Sequence, residues 1–331
     1  MLTINDFPSY KLIPHPTSIT KLKRISAHLG GADIYVKRDD TNFLGGGGSK
    51  LRKLEFYLGA AFQAGCDTII AMGAMQSNHA RLSAAAALHA GFDCEIILGH
   101  KVPRDDPDYL HNGNLLLDRI MGVTIHETDA AADLMALALA RKAELEALGK
   151  KVYIIPFGGS CALGSLGYVS CAFEIAEQEQ QIGVNFDSIV LANGSSGTHA
   201  GLLAGCELVG GRAKVIGYNV LKPIADTLPV TRQITQEIFD LLQCEKLVDD
   251  NHIYLDDSYL GAGYGIPTDS MREAVRLMAH EEGLFLDPVY SGKAFAGFIA
   301  DIKQGKFAGQ KNLLFMMTGG APGLYAYQSE F

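Results

Sequence analysis

The sequence predicts an α/β protein built on open, mostly parallel sheets with helices on both faces. Two observations carry that prediction. Short runs of continuous apolar, β-rich residues recur along the chain, as expected of strands covered on both faces. Longer segments with helical patterning separate several of them, and such alternation requires parallel strands joined by right-handed crossovers. The predicted strands are, in order, IYVKR (34–38), TIIAMG (68–73), EIILG (95–99), TIHET (124–128), VYIIPF (152–157), SIVLAN (188–193), KVIGYNV (214–220) and LLFMMT (313–318). Helices are predicted in KLRKLEFYLGAAFQAG (50–65), HARLSAAAALHAG (79–91), GYVSCAFEIAEQEQQ (167–181) and THAGLLAGCELVG (198–210).

Composition narrows the function classes. The 331 residues suffice for one large domain or two ordinary ones. A net charge of −9 with no basic run argues against a nucleic-acid partner. The opening MLTINDFPSYKLIPHP lacks the basic end and apolar stretch of a signal peptide, and no apolar run is long enough to span a bilayer. A cytoplasmic protein is the expectation. The six cysteines, Cys66, Cys94, Cys161, Cys171, Cys206 and Cys244, form no C-x-x-C pair and are expected to be buried and reduced. The ten histidines include no H-E-x-x-H spacing, so no metal site is predicted.

In parallel α/β folds ligands lie where strands hand over to helices. Four such turns carry chemistry. The first is GGGGSK, Gly45 to Lys50. It fails the phosphate-loop pattern, because Ser49 precedes the lysine and Leu51 follows it, and it fails G-x-G-x-x-G, because Lys50 replaces a required glycine. Ser49 is read as the N-cap of the next helix, which puts Lys50 at the positive end of a helix dipole beside Arg52 and Lys53. Both effects lower its pKa and make it a nucleophile for aldehydes. The second turn, Gln76-Ser77-Asn78-His79, presents hydroxyl, amide and backbone N–H groups at a helix start. The third, Asn193-Gly194-Ser195-Ser196-Gly197-Thr198, makes a nest for a phosphate dianion with no lysine inside it. The fourth set offers hydroxyls from Tyr264, Tyr290, Ser291 and Thr318. A phosphate nest together with a lysine suited to aldehyde chemistry is what pyridoxal 5′-phosphate requires.

The segments KRDD, GGGGSKLRKLEF, GAMQSNHAR, NGSSGTHAG, GYGIP, LDPVYSGKA and TGGAP, in that order, resemble the D-cysteine desulfhydrase and 1-aminocyclopropane-1-carboxylate deaminase family. That family is a branch of the tryptophan-synthase-β-like pyridoxal-phosphate enzymes. The resemblance spans essentially the whole chain. It implies that Lys50 binds the cofactor covalently, although Ser49 stands where the family usually has asparagine. It places Asn78 near the cofactor's phenolic oxygen, and Ser77 with His79 near the substrate carboxylate. It gives the phosphate to Ser195, Ser196, Gly197 and Thr198, and makes Tyr264 and Tyr290 active-site tyrosines. Catalysis then falls to Lys50, Tyr290, Tyr264 and Ser77. Substrate contacts come from Ser77, Asn78, His79, Tyr264 and Tyr290. The resemblance also implies a homodimer and two domains: 1–46 with 160–331 holding the cofactor, and 47–159 forming a smaller unit across a cleft.

Within the family, deaminases resemble D-P-V-Y-E-G and L-G-G, with a glutamate near the pyridine nitrogen. Here those positions read Ser291 and Thr318. Hydroxyls leave that nitrogen largely neutral, which favours β-elimination of a good leaving group over opening of a cyclopropane. D-cysteine giving pyruvate, hydrogen sulfide and ammonia is the first expectation. L-cysteate sulfo-lyase is the alternative, with Arg81 or His79 as cations for the sulfonate, and the cyclopropane deaminase is another. A dinucleotide-binding oxidoreductase lacks its glycine fingerprint after every predicted strand. A non-catalytic binding protein on the same scaffold would have no use for an intact Lys50, phosphate turn and tyrosines.

Overall fold

Residues 1–331 are described by a computed structural model. The chain opens with β1 (Ile19–Lys21), α1 (Lys23–Leu29) and β2 (Asp33–Arg38). It continues through α2 (Lys50–Gln63), β3 (Thr68–Ala74), α3 (Asn78–His89), β4 (Asp93–Gly99), α4 (Pro107–His111), α5 (Gly113–Met121), β5 (Thr124–Thr128), α6 (Leu134–Ala147) and β6 (Val152–Ile155). The remainder is α7 (Ala162–Ile182), β7 (Ser188–Asn193), α8 (Gly197–Val209), β8 (Lys214–Asn219), α9 (Ile224–Leu241), β9 (Tyr254–Asp256), α10 (Asp269–Glu282), α11 (Ser291–Lys303), β10 (Asn312–Met317) and α12 (Pro322–Tyr325).

The strands form two sheets, one of six strands in the order β1-β2-β10-β7-β8-β9 and one of four in the order β5-β4-β3-β6. All pairings are parallel except β1 with β2, where Ile19 faces Lys37. Every predicted strand is present. β1 and β9 were not predicted, because three residues are too few to show a period.

Side-chain alternation explains the continuous apolar runs. Leu313, Phe315 and Met317 of β10 pack with Met271, Phe295 and Phe298 of α10 and α11. Leu314 and Met316 point the other way, onto Tyr168, Cys171 and Leu202 of α7 and α8. The smaller sheet repeats the pattern, with Ile69 and Ala71 against Leu54 and Leu82. Its Ile70 and Met72 meet Leu134, Ala138 and Leu145 of α6. With both faces covered, a polar side chain on these strands needs a buried partner, as Lys37 of β2 has in Glu174.

Helix α2 links the two sheets. Its Leu51, Leu54, Tyr57 and Leu58 join the smaller sheet's core, while Phe56 packs with Leu166 and Val169 of α7. A Cβ on Gly167 would lie 2.2 Å from the carbonyl oxygen of Arg52, so α2 and α7 touch backbone to backbone there. At the C-terminus the chain returns to the smaller sheet, where Ala326 and Tyr327 enter its core and Arg104 pairs with Glu330 at 2.6 Å. All six cysteines are unpaired; Cys94, Cys171 and Cys206 are buried, the other three half-buried. No helix is long and apolar enough to cross a membrane.

Candidate active site

The carboxyl ends of β3, β7 and β10 and the start of α2 converge on one cleft. Lys50, Ser77, Asn78, His79, Ser195, Ser196, Thr198, Tyr290 and Thr318 all line it. These residues lie as far as 268 positions apart in sequence, so only the fold brings them together.

The four glycines serve the chain's own turn first. Gly45, Gly46, Gly47 and Gly48 all take positive φ, and a Cβ on Gly47 would lie 2.3 Å from the carbonyl oxygen of Asn42. Gly48 bridges to Gly319, and the N–H of Ser49 donates to the carbonyl of Thr318 at 2.9 Å. The turn after β10 therefore fixes the loop from which Lys50 projects. Two expectations hold only in part here. Ser49 does occupy the N-cap position of α2, but its hydroxyl makes no capping bond and lies instead 3.4 Å from Lys50 Nζ. The lowering of Lys50 is as expected, but its main cause is not Arg52. Burial pushes it down to about 8, against the charges of Asp287 and Asp39, which pull it up. Arg52 faces away, bonded to Asp39 and Glu174.

On α3, the Ser77 hydroxyl accepts the N–H of Ala80 at 3.1 Å, which leaves its proton free for the cleft. The Oδ1 of Asn78 is buried without a partner, and a group placed in the cleft can satisfy it. His79 is neutral, because burial and the ammonium groups of Lys50 and Lys53 push it down to about 3.

At the start of α8, Ser196 holds a φ of 64°, unusual for a residue with a side chain. The turn from residue 193 to 198 contains no lysine of its own. The structure puts Lys53 beneath it, since a Cβ on Gly197 would lie 2.8 Å from Lys53 Nζ. Lys53 donates to Ser160 Oγ at 3.1 Å, and Ser160 meets Ser195 Oγ at 2.7 Å. Burial and the charge of Lys50 hold Lys53 well below the usual lysine value. The only signal for it was its place one turn after Lys50 on α2, and nothing in the sequence tied that turn to residue 197.

Tyr290 reaches the cleft directly, and Tyr264 stands behind it with the two phenol oxygens 2.5 Å apart. Ser291 does not reach it. Its hydroxyl donates to Asp287 Oδ1 at 2.6 Å and accepts the Asp287 N–H at 2.9 Å, so its assignment to the cofactor is corrected. Of the two hydroxyls expected near the ring nitrogen, Thr318 alone lines the cleft.

A buried amine that is half-neutral near pH 8, and a helix N-terminus carrying hydroxyls over a second lysine, suit an aldehyde that bears a phosphate. The family described as pyridoxal-phosphate dependent enzyme matches residues 11–319. The chain belongs to that family. Among pyridoxal-phosphate dependent enzymes it is 41% identical over 324 residues to the D-cysteine desulfhydrase of Serratia proteamaculans (strain 568), covering 98% of this chain and 97% of that one. It is 43% identical over 321 residues to the D-cysteine desulfhydrase of Klebsiella pneumoniae subsp. pneumoniae, covering 97% and 96%. A crystal structure of an ACC deaminase homologue superposes with a TM-score of 0.89 at 37% identity, covering 99% of this chain and 96% of the other. This pyridoxal-phosphate dependent enzyme thus shares its fold with that homologue and nearly its full length with the D-cysteine desulfhydrases.

Proposed function

We propose that the protein is a D-cysteine desulfhydrase, converting D-cysteine to pyruvate, hydrogen sulfide and ammonia by β-elimination. The observation that carries the choice of leaving group is the state of the cleft's cations. Arg81 is fully buried and already committed: it donates to Asn114 Oδ1 at 2.6 Å, to the Gly47 carbonyl at 3.3 Å and to the Gly45 carbonyl. His79 is neutral. Among the lining residues that leaves Lys50 as the one uncommitted cation, and a sulfonate would enter without a fixed counter-charge. A thiol needs none. The near full-length likeness to D-cysteine desulfhydrases supports the same choice.

The residues divide the work as follows. Ser195, Ser196, Gly197 and Thr198, with Lys53 beneath, would hold the phosphate; Asn78 would meet the phenolic oxygen; Lys50 would bind the aldehyde. Bound there, the cofactor supplies an electron sink that acidifies the substrate's α-carbon. Ser77 orients the substrate carboxylate, beside a neutral His79 that adds no charge of its own. Lys50, whose burial makes it easy to deprotonate, would take the α-proton as a base. The Tyr264–Tyr290 pair holds a proton at the departing sulfur, and the released enamine hydrolyses in water to pyruvate and ammonia. The two-domain division across the cleft, the homodimer and the cytoplasmic location belong to this same reading.

Incubation with D-cysteine, L-cysteate and 1-aminocyclopropane-1-carboxylate, trapping sulfide, sulfite and 2-oxobutyrate, tests it. Sulfide from D-cysteine is expected to exceed the other two products in kcat/KM by roughly a hundredfold, the scale set by an unpaired buried charge. Sulfite as the main product would overturn the proposal.

The pH dependence of cofactor uptake tests Lys50 separately. Only the neutral amine attacks an aldehyde. Uptake of pyridoxal phosphate by the apoprotein should therefore rise about tenfold per pH unit below about pH 8 and flatten above it. Stopped-flow absorbance reads this rate. A flat profile from about pH 6 to pH 9 would contradict the assignment of Lys50.

A further inference from the structure

Helix α11 carries a second buried ammonium that the chemistry above does not use. Lys293 is 0% exposed, and its Nζ donates to the carbonyls of Leu260 and Gly263, each at 2.8 Å. Those carbonyls belong to a turn with no helix or strand from residue 257 to 268, in which Gly261, Gly263 and Gly265 all take positive φ. Inside it the backbone closes two bonds, Leu260 N–H to the Asp257 carbonyl at 3.1 Å and Ile266 N–H to the Gly263 carbonyl at 3.3 Å, so its attachment to the rest of the fold falls to side chains. Tyr264 projects from it. A second anchor is the Tyr327 hydroxyl, which donates to the Gly265 carbonyl at 2.9 Å.

Tyr290 is held from the other side of the same helix start. The Asp287 carboxylate accepts the N–H groups of Val289, Tyr290 and Ser291 at 2.9, 2.8 and 2.7 Å. One helix start thus fixes both phenols, Tyr290 through Asp287 and the Tyr264 turn through Lys293. Burying an ammonium is costly unless acceptors receive it, and two converging carbonyls with Asp287 nearby do so. An apolar side chain would fill the same space without holding the turn.

We propose that Lys293 is a positioning residue, which pins the Tyr264 turn to α11 and so sets the phenol–phenol hydrogen bond behind the cleft. Burial lowers Lys293 to about 8 while the charge of Asp287 raises it, so the ammonium form prevails at neutral pH. Burial raises both phenols above the usual tyrosine value. The titratable groups that act on them are Asp287, Tyr109 and Tyr327, together with each other.

The test is NMR of the full-length protein labelled with [13Cζ]tyrosine, with Tyr264→Phe and Tyr290→Phe used for assignment. In the unmodified chain the Tyr264 phenol should stay protonated well above about pH 10, the ordinary tyrosine value. In Lys293→Met its titration should move down towards about 10, and kcat should fall about tenfold while KM changes less than about twofold. In a Tyr264→Phe background the same replacement should cost less than about twofold more. If Lys293→Met fails to fold, Lys293→Gln keeps an NH₂ donor one bond shorter and should show the same shift in part. An unmoved Tyr264 titration overturns the proposal, as does an equal loss of kcat in the Tyr264→Phe background. The kinetic arm rests on the function proposed above, whereas the NMR arm does not. A moved titration with unchanged kcat therefore upholds Lys293 and overturns the part given to the phenols in catalysis.

Discussion

Lys50→Ala is expected to remove turnover, lowering kcat by roughly a thousandfold to ten-thousandfold, the scale of losing a positioned general base. The loss should exceed that scale if attachment of the cofactor also fails, because one amine serves both purposes. The structure explains why no neighbour can substitute. Lys53 points into the α8 start, bonded to the Gly158 carbonyl at 3.2 Å and to Ser160 at 3.1 Å. Lys293 is bound by the Leu260 and Gly263 carbonyls. Lys50 has only the Ser49 hydroxyl at 3.4 Å, and burial keeps its proton loosely held, near pH 8. The measurement is kcat on D-cysteine together with the visible absorbance of the purified protein. Activity within about tenfold of the unmodified protein would remove Lys50 from the proton-transfer step. Lys50→Arg should be no better than alanine, since a guanidinium cannot shed its proton near neutral pH.

Much of this arrangement was legible because the relevant signals are local. A strand of β3 or β10 type, covered on both faces, must be apolar throughout, and that is visible in six letters. A Gly/Ser/Thr turn at a strand–helix junction likewise advertises its donors. The failures have a common cause, which is that the partner of a side chain is not a local property. Ser49 reads as a side-chain cap from its type and does stand at the N-cap position, yet its hydroxyl caps nothing, and its N–H is held by Thr318 beside the bridge from Gly48 to Gly319. Ser291 reads as a ligand for the ring nitrogen from its neighbours in sequence, but Asp287 four residues earlier takes its proton. Lys53 reads only as a neighbour of Lys50 for the same reason: residues 53 and 197 meet only after α2 has crossed between the sheets. The depressed Lys50 value owes most to burial, which a sequence does not display. Of the positive neighbours on α2, Arg52 is neutralised by its own partners, and Lys53 and Lys50 repel each other.

That neutralising network sets the second large effect. Arg52 forms two parallel bonds with Asp39, at 2.8 and 2.9 Å, and reaches Glu174 at 2.9 Å and the Thr17 hydroxyl at 2.9 Å. Asp39 is 0% exposed and also accepts the Tyr168 hydroxyl at 2.7 Å, while Lys37 bonds Glu174 and the Thr17 carbonyl. Arg52→Met is expected to destabilise the fold by about 3–5 kcal/mol, because it leaves a buried carboxylate without its bidentate partner. At roughly 2–4 °C per kcal/mol, the midpoint of thermal unfolding should fall by about 10 °C. The sign with pH follows from Asp39. In the native protein Arg52 and Lys37 hold its carboxyl below the usual value despite burial, so its contribution is present above the unfolded value and lost as pH falls through the folded one. Without Arg52, burial gains and the protonated form is favoured. The gap between variant and parent should therefore be widest near neutral pH and narrow as pH falls towards about 3.9, the unfolded aspartate value. Asp39→Leu combined with Arg52→Met should cost less than Arg52→Met alone, since the uncompensated charge is then gone. Denaturant titration at two pH values measures all three quantities. A single replacement costing under about 1 kcal/mol, or a double one costing the sum of both singles, would show that the pair is not what ties α2 to β2.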